Sequence, residues 1–120
     1  TFENILSLAD IISIHVPLNN ETKYLFDKKT FQKMNNKPII INSSRGGIIN
    51  ETDILEAYKN NYISGFALDV YEHEPVNKIF LKNITNDMNC ILSPHIAGVT
   101  EESNTRVSEF IMNKTNEFFF

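Results

Sequence analysis

One apolar stretch, Gly65-Phe66-Ala67-Leu68-Asp69-Val70, decides the fold that the sequence predicts. Its length and its apolar side chains are typical of a strand inside a parallel sheet. Three similar runs occur at residues 9–16, 38–42 and 90–93. The run at 9–16 is rich in β-branched residues and ends at Pro17, so we expect it to be buried on both faces. The sequence therefore predicts four strands.

Helical patterns fill the segments between the first three strands. Asp27 is a candidate N-cap for a short helix that reaches Met34. Asn50, with Asp53 three residues later, resembles a capping box and opens a second helix. Apolar residues at helical spacing continue that helix through Lys59. Each helix is followed by residues that favour its termination, as expected for connections between strands.

Two further helices complete the pattern. A weak helical signal covers residues 78–82, and a long helix begins after Thr100, which suits an N-cap. Alternating strands and helices imply a parallel sheet with right-handed crossovers and with both faces covered. The predicted fold is therefore α/β, one half of a Rossmann-like doubly wound sheet that ends in a long helix. The apolar face of that helix comprises Val107, Phe110, Ile111 and Phe118.

Composition indicates one globular, water-soluble domain. Of the 120 residues, 42% are hydrophobic and 22% are charged, with a net charge of −4. The basic residues are scattered, which argues against a nucleic-acid partner, and no run approaches the roughly 18 apolar residues of a membrane span. Cys90 is the only cysteine, so no disulfide can form within the chain. We expect Cys90 to be a small buried residue in a cytoplasmic protein.

Polar residues follow the predicted strands. Pro17 comes after the first strand, Arg45 after the second and His95 after the fourth, while Asp69 lies near the end of the third. In a parallel sheet the ligand lies beyond the carboxyl ends of the strands, so these four positions converge on one edge. Such convergence is harder to obtain by chance than any single residue, and it predicts a catalytic site at that edge.

His95 and Glu74 form the candidate acid/base pair. The motif Ser93-Pro94-His95-Ile96-Ala97-Gly98 holds the imidazole on a restricted backbone, and a neighbouring carboxylate favours the charged ring. Each residue alone has a structural alternative: a histidine satisfied within a loop, and a glutamate in a solvated turn before Pro75. Together they indicate general acid/base chemistry.

Arg45 and Asp69 are the candidate ligand-binding residues. Arg45 lies between two serines and two glycines, and glycines let a ligand approach a guanidinium that fits a carboxylate through two bonds. The alternative is an arginine bonded to a backbone carbonyl in a turn. Asp69 ends an apolar run, where an unpaired charge is costly, so it needs a donor such as a ligand amide. Its alternative is a buried helix cap.

Neither a metal site nor a phosphate loop is predicted. His15, His73 and His95 lack the close spacing of metal ligands, and one cysteine provides no set of thiolates. No Gly-x-Gly-x-x-Gly or Walker-type loop occurs in the sequence. We therefore expect no metal, and no phosphate cradle within these residues.

Four motifs resemble those of the D-isomer-specific 2-hydroxyacid dehydrogenases, and in particular their phosphoglycerate dehydrogenase-like members. The motifs occur in the order and spacing of that family and cover nearly the whole chain. They are Leu8-Ala9-Asp10-Ile11-Ile12-Ser13-Ile14-His15-Val16-Pro17-Leu18, Ile41-Asn42-Ser43-Ser44-Arg45-Gly46-Gly47, Ala67-Leu68-Asp69-Val70-Tyr71-Glu72-His73-Glu74-Pro75 and Ser93-Pro94-His95-Ile96-Ala97-Gly98.

The resemblance implies an NAD(P)-dependent oxidoreductase that interconverts a D-2-hydroxy acid and a 2-oxo acid by hydride transfer. The implied catalytic residues are Arg45, which binds the substrate carboxylate, His95, which gives a proton to the carbonyl oxygen, and Glu74, which holds and charges His95. Asp69 would contact the nicotinamide carboxamide. The implied cofactor contacts are His15, Val16, Pro17, Ser43, Ser44, Arg45, Asp69, His95, Ala97 and Gly98.

The resemblance also implies parts that this sequence does not contain. In the family, a glycine-rich phosphate loop, the acidic residue that selects the ribose and most of the substrate domain lie upstream. We therefore expect residues 1–120 to be the C-terminal part of an NAD-binding domain, inactive alone. The whole protein would be a homodimer of the phosphoglycerate dehydrogenase or hydroxypyruvate/glyoxylate reductase type, with NAD or NADP. The alternative is a dinucleotide-sensing, corepressor-like binding protein.

Overall fold

Four parallel strands form one sheet in the order in which they occur in the chain. The structure is a computed structural model that describes residues 1–119, and Phe120 lies outside the described residues. The predicted α/β fold, with a parallel sheet and a long final helix, is confirmed. The strands are β1 (Ile11–Ile14), β2 (Ile39–Asn42), β3 (Gly65–Leu68) and β4 (Cys90–Leu92). The helices are α1 (Phe2–Leu8), α2 (Lys28–Phe31), α3 (Glu51–Lys59), α4 (Lys78–Lys82) and α5 (Glu101–Phe119).

Every strand is shorter than the sequence predicted. The first was expected over residues 9–16, whereas β1 pairs with β2 only from Ile11 to Ile14. β3 stops before Asp69, and β4 stops before Ser93. The residues lost from the carboxyl ends belong to the loops that build the candidate site.

Local caps begin α2 and α3 at the predicted residues. Asp27 is the N-cap of α2, although that helix ends before Met34. The Asn50 side chain accepts a hydrogen bond of 3.0 Å from the Asp53 backbone N–H and begins α3. The capping box is incomplete, because the Asp53 carboxylate accepts from the Lys28 backbone N–H at 2.9 Å instead of returning to Asn50. This bond ties the start of α3 to α2.

The helix α1 was not predicted. Its seven residues present one fully buried side chain, Leu6, to the core. Phe2 packs edge-on against Phe26, with 5.8 Å between the ring centroids. Because so few of its residues are buried, the helix leaves almost no periodic signal in the sequence.

The core lies on one face of the sheet, so the prediction that both faces are covered is wrong for the described residues. The register places Ser13, Ile41, Ala67 and Ile91 in one row across the opposite face, where Ile91 is 71% exposed. Cys90 is partly rather than fully buried, and burial raises the pKa of its thiol. The buried side of the sheet comprises Ile12, Ile14, Ile40, Phe66 and Leu68, packed against Leu6, Phe31, Ile54, Leu55, Ala57 and Phe80 of the helices.

The helix α5 buries none of its residues. It begins as predicted, with the Thr100 hydroxyl accepting from the Ser103 backbone N–H at 3.1 Å. Its predicted apolar face is exposed, including Phe110 and Phe118. Among residues 1–119, no helix combines the length and the apolar character needed to cross a membrane.

Candidate active site

The parallel sheet brings four loops to its carboxyl edge. They are residues 15–17 after β1, 43–45 after β2, 69–75 after β3 and 93–98 after β4. Backbone hydrogen bonds hold the starts of these loops side by side. Asp69 N–H donates to the Asn42 carbonyl, and Ser93 N–H donates to the Leu68 carbonyl. All of the predicted site residues lie on these loops.

Glu74 and His95 meet as an ion pair at this edge. The distance from His95 Nδ1 to Glu74 Oε2 is 2.7 Å, and the two side chains are 47% and 39% exposed. The other oxygen of Glu74 accepts from the Tyr71 backbone N–H at 3.2 Å. The hydrogen bond from His95 keeps the pKa of the Glu74 carboxyl below its ordinary value. Partial desolvation raises this pKa, and the bond from Tyr71 lowers it further. The carboxylate therefore holds the imidazole through Nδ1, and Nε2 takes no part in this bond.

Asp69 is buried, and both of its carboxylate oxygens accept hydrogen bonds from the chain itself. Its Oδ1 accepts from the Ser93 hydroxyl at 2.6 Å and from the Ile96 backbone N–H at 2.9 Å, and its Oδ2 accepts from the Ala97 backbone N–H at 2.9 Å. Burial raises the pKa of this carboxyl, but the three hydrogen bonds outweigh burial and lower the pKa overall. The chain itself thus supplies donors to this buried carboxylate, and among the described residues Oδ2 accepts one hydrogen bond.

The bonds to Asp69 hold the loop of His95 in an unusual shape. His95 has φ of 57°, in the left-handed region that costs a residue with a Cβ about 1–2 kcal/mol. The anchored residues Ser93, Ile96 and Ala97 lie on both sides of it. Asp69 therefore stabilises the strained backbone that presents the imidazole.

The turn of Arg45 is shaped by a residue that sequence reasoning had not assigned to the site. The Asn42 side chain is buried, donates to the Arg45 carbonyl at 3.0 Å, and accepts from Ser44 N–H and from its hydroxyl at 3.1 and 2.8 Å. An amide at the end of an isoleucine-rich strand, just before a turn, is the signal that could have revealed it. Asn42 thus fixes the backbone from which Arg45 projects.

Arg45 itself is exposed, and its Nη1 donates to the Ser44 carbonyl at 2.6 Å. This contact is the structural alternative that the sequence left open. Within residues 1–119, no carboxylate forms a salt bridge with the guanidinium. Most of its five N–H donors are therefore available to an anionic ligand.

The glycines beside Arg45 serve a different purpose from the one predicted. A Cβ on Gly46 would lie 1.7 Å from the Tyr71 carbonyl oxygen, so this glycine admits a neighbouring loop and not a ligand. Gly47 has φ of 76°, which favours glycine at that position. A Cβ on Gly98, in contrast, would meet no atom within 4 Å. Only Gly98 borders open space.

Two clefts lie along the carboxyl edge of the sheet. One, of about 250 Å³, is lined by residues 15–17, Ser44 and Arg45. The other, of about 180 Å³, lies over β2, β3 and β4 and includes Ser43, Asp69 and Ala97 in its lining. The sequence contains no glycine-rich loop of the kind that holds the pyrophosphate of a dinucleotide. His15 also bonds to the Ser13 hydroxyl, at 2.8 Å.

A separate cavity of about 380 Å³ lies between α3, α4 and the loop after β3. His73 lines it together with Glu51 and Glu72, but Arg45, Glu74 and His95 do not. It is therefore a different feature from the candidate active site. In the part of the chain that the structure describes, no three His, Cys, Asp or Glu side chains are grouped as metal ligands.

Comparisons with known proteins agree with this geometry. A sequence model described as the NAD-binding domain of D-isomer specific 2-hydroxyacid dehydrogenases matches residues 1–97. The D-3-phosphoglycerate dehydrogenase of Bacillus subtilis is 39% identical over 120 residues, which cover 98% of this chain and 22% of that protein. The glyoxylate reductase of Thermofilum pendens is 37% identical over 107 residues, which cover 89% and 31%. This chain thus spans less than a third of either relative.

Solved structures share the fold. The D-lactate dehydrogenase of Lactobacillus jensenii, solved with NAD+, matches with a TM-score of 0.83 and 31% identity, covering 94% of this chain and 37% of that one. The D-mandelate dehydrogenase of Rhodotorula graminis matches with a TM-score of 0.86 and 27% identity, covering 98% and 33%. The matched domain confirms NAD as the cofactor class that the sequence predicted. Because the family match covers 97 of the 120 residues, the chain belongs to the D-isomer specific 2-hydroxyacid dehydrogenases, within their NAD-binding domain.

Proposed function

We propose that this chain is the catalytic part of an NAD(P)-dependent oxidoreductase that interconverts a D-2-hydroxy acid and a 2-oxo acid. The observation that carries the proposal is the Glu74–His95 pair, 2.7 Å apart, on the same sheet edge as the exposed Arg45. An acid/base group and an anion-binding group are what a hydroxy acid requires. In this proposal the phosphate loop and the substrate domain belong to other parts of a longer protein.

His95 moves the proton of the reaction. Its Nδ1 is held by Glu74, and its Nε2 has no hydrogen-bond partner among the described residues. Nε2 therefore gives a proton to the carbonyl oxygen during reduction and removes it from the hydroxyl during oxidation. Glu74 keeps the ring oriented. The dinucleotide, when bound, supplies or accepts the hydride.

Arg45 binds the substrate carboxylate. Its guanidinium offers paired N–H donors that match a carboxylate in two-point geometry. To do so it exchanges its 2.6 Å bond to the Ser44 carbonyl for the charged ligand. The guanidinium also polarises the neighbouring carbonyl, because the carboxylate and the carbonyl of a 2-oxo acid are adjacent.

The remaining edge residues hold the cofactor. Ser44 and the turn at residues 15–17 line one cleft, and Ser43, Asp69 and Ala97 line the other. Asp69 Oδ2 accepts a single hydrogen bond from within the chain, so it can accept a second from the nicotinamide carboxamide. Asp69 thus serves both the cofactor and the loop of His95.

We propose a narrower substrate class, of the phosphoglycerate or hydroxypyruvate/glyoxylate type. Among the relatives, a D-3-phosphoglycerate dehydrogenase is 39% and a glyoxylate reductase 37% identical to this chain. An (S)-sulfolactate dehydrogenase is 38% identical, so the assay below decides among substrates. The choice between NAD and NADP depends on an acidic residue that lies upstream in the family.

A chimaera tests the proposal. Residues 1–120 replace the matching segment of the Bacillus subtilis D-3-phosphoglycerate dehydrogenase, and oxidation of NADH or NADPH is measured with 3-phosphohydroxypyruvate, hydroxypyruvate, glyoxylate and pyruvate. We expect turnover that His95→Ala and Arg45→Ala each reduce by on the order of a hundredfold or more. Reduction of a 2-oxo acid consumes a proton and oxidation of the hydroxy acid releases one, so low pH should favour reduction and high pH oxidation.

Full activity of the His95→Ala chimaera would overturn the mechanism. Binding of NADH without turnover of any 2-oxo acid would instead favour the dinucleotide-sensing alternative. The unmodified relative serves as the positive control, because it shows that the assay detects turnover.

A further inference from the structure

The carboxylate of Glu72 joins three loops next to the active site. Its Oε1 accepts from the Glu51 backbone N–H at 2.7 Å, and its Oε2 accepts from the Tyr24 hydroxyl at 3.0 Å. In return, the Glu51 carboxylate accepts from the Glu72 backbone N–H at 2.6 Å. The three segments are the loop between β1 and α2, the start of α3, and the loop that leads from β3 to Glu74.

These contacts bring the turn of Arg45 against the loop of Glu74. α3 begins a few residues after Arg45, and Gly46 packs against the Tyr71 carbonyl so closely that it has no room for a Cβ. The next link is also direct, because the Tyr71 backbone N–H donates to Glu74 Oε1 at 3.2 Å. A displacement of the loop at Glu72 would therefore be passed to the carboxylate that holds His95.

We propose that Glu72 is a positioning residue, which fixes the Glu74–His95 pair relative to Arg45 through its bonds to Glu51 and Tyr24. Only the catalytic use of the Glu74–His95 pair rests on the function proposed above. The geometric claim, that Glu72 sets the Glu74–His95 contact, is independent of the reaction.

The arrangement places two carboxylates side by side, and each of them accepts a backbone hydrogen bond from the other residue. Burial raises the pKa of the Glu51 carboxyl, and the charge of Glu72 raises it further, although the Glu72 N–H and His73 oppose the rise. The hydrogen bond to Glu72 and its charge also raise the pKa of the Tyr24 phenol. A like-charged pair lowers stability unless each member is tied to specific donors, as both are here.

The test measures the titration of the Glu74 carboxyl by carbon-detected NMR in the 120-residue chain, for the parent, Glu72→Ala and Glu72→Gln. Removing a neighbouring negative charge lowers or leaves unchanged the pKa of Glu74. Loss of positioning does the opposite, because the bond from His95 is what lowers that pKa. We therefore expect the pKa of Glu74 to rise toward its ordinary value of 4.5 in Glu72→Ala.

Glu72→Gln provides the rescue. The amide oxygen can still accept from the Glu51 N–H, so we expect the pKa of Glu74 to stay near the parent value although the charge is gone. Glu56→Ala is the matched control, because Glu56 is an exposed glutamate on α3 that pairs only with Lys28, at 3.4 Å. If Glu72→Ala does not fold, Glu72→Asp replaces it, since the shorter side chain withdraws the carboxylate from both partners.

A Glu74 pKa that stays low or falls in folded Glu72→Ala or Glu72→Asp would overturn the proposal, and so would a matching rise in Glu56→Ala. In the chimaera, Glu72→Ala should lower kcat on the order of ten- to a hundredfold, with little change in the KM for NADH. Glu72→Gln should restore kcat. An inactive parent chimaera would count against the proposed function, whereas the NMR result would still decide the role of Glu72.

Discussion

Asp69 links the strained backbone of His95 to the sheet through both of its carboxylate oxygens. In Asp69→Asn, one acceptor oxygen becomes an NH2 group that faces a donor, either the Ala97 N–H or the donors at Oδ1. A partly buried N–H is then left without an acceptor, which costs about 1–3 kcal/mol. We expect the free energy of unfolding to fall by about 2 kcal/mol, as measured by urea denaturation.

The control for this change is Asp10→Asn, on an exposed aspartate. An exposed substitution of this kind should alter stability by no more than about 0.5 kcal/mol. Equal stability of Asp69→Asn and the parent would show that the three bonds do not hold the loop.

Acid should destabilise the chain through Glu74 and Asp69, whose carboxyl pKa values are both lowered in the folded state. The unfolded chain then binds more protons, so stability is present above the ordinary pKa values of 4.5 and 3.8 and is lost as the pH falls through the lower folded values. Glu51, whose pKa is raised, acts in the opposite direction. We expect urea midpoints to fall between about pH 5 and pH 3.

Glu74→Gln should make this decline shallower, because the bond from His95 is the main cause of the lowered pKa of Glu74. Glu109→Gln, an exposed change on α5, should leave the slope as in the parent. If Glu74→Gln leaves the slope of stability against pH unchanged, Glu74 is not a cause of the acid destabilisation.

At the scale of elements, the turn after β2 and the loop after β3 are in backbone contact at Gly46. Gly46→Ala would place its Cβ 1.7 Å from the Tyr71 carbonyl oxygen, and a backbone atom cannot move aside without displacing its loop. We expect the free energy of unfolding to fall by about 2–3 kcal/mol in urea. Gly98→Ala is the control, since open space surrounds that position. Equal stability of the two variants would be inconsistent with close packing at Gly46.

The sequence predicted those elements whose signal is carried by adjacent residues. α3 and α4 occupy the predicted residues because caps such as Asn50 act within one turn. Convergence of the site loops follows from parallel strand order alone. α1 escaped prediction because only Leu6 is buried.

Long-range hydrogen bonds account for what could not be predicted in the site. The bonds of Glu72 to Glu51 and Tyr24 span 21 and 48 residues, so no local spacing indicates them. The single covered face of the sheet was missed for a related reason. Isoleucines in β1 and β2 are typical of strands buried on both sides, and their pattern does not say which segment covers each side.

At the scale of the whole molecule, the long helix stands apart from the core. The radius of gyration is 17.1 Å, whereas a compact chain of this length would have about 14 Å. α5 buries no residue, and the family match ends at residue 97, before the helix begins. The rest of the described chain therefore forms its core without α5.

A chain that ends at Thr100 should be almost as stable as the parent. Deleting α5 removes no buried side chain, so we expect the free energy of unfolding to change by less than about 1 kcal/mol in urea. Deletion of residues 1–8 is the contrasting variant, since it removes the buried Leu6 and the Phe2 contact to Phe26. Unfolding of the chain that ends at Thr100 would show that α5 packs on the core in solution.

The left-handed backbone of His95 means that the identity of the side chain at this position affects folding as well as the proposed chemistry. Glycine adopts that conformation without the Cβ penalty, but His95→Gly also loses the bond to Glu74. His95→Ala loses the same bond and keeps the Cβ, so His95→Gly should be more stable than His95→Ala by about 1 kcal/mol in urea. Under the proposed function neither variant should turn over a 2-oxo acid in the chimaera, so that the two variants differ in stability and not in activity.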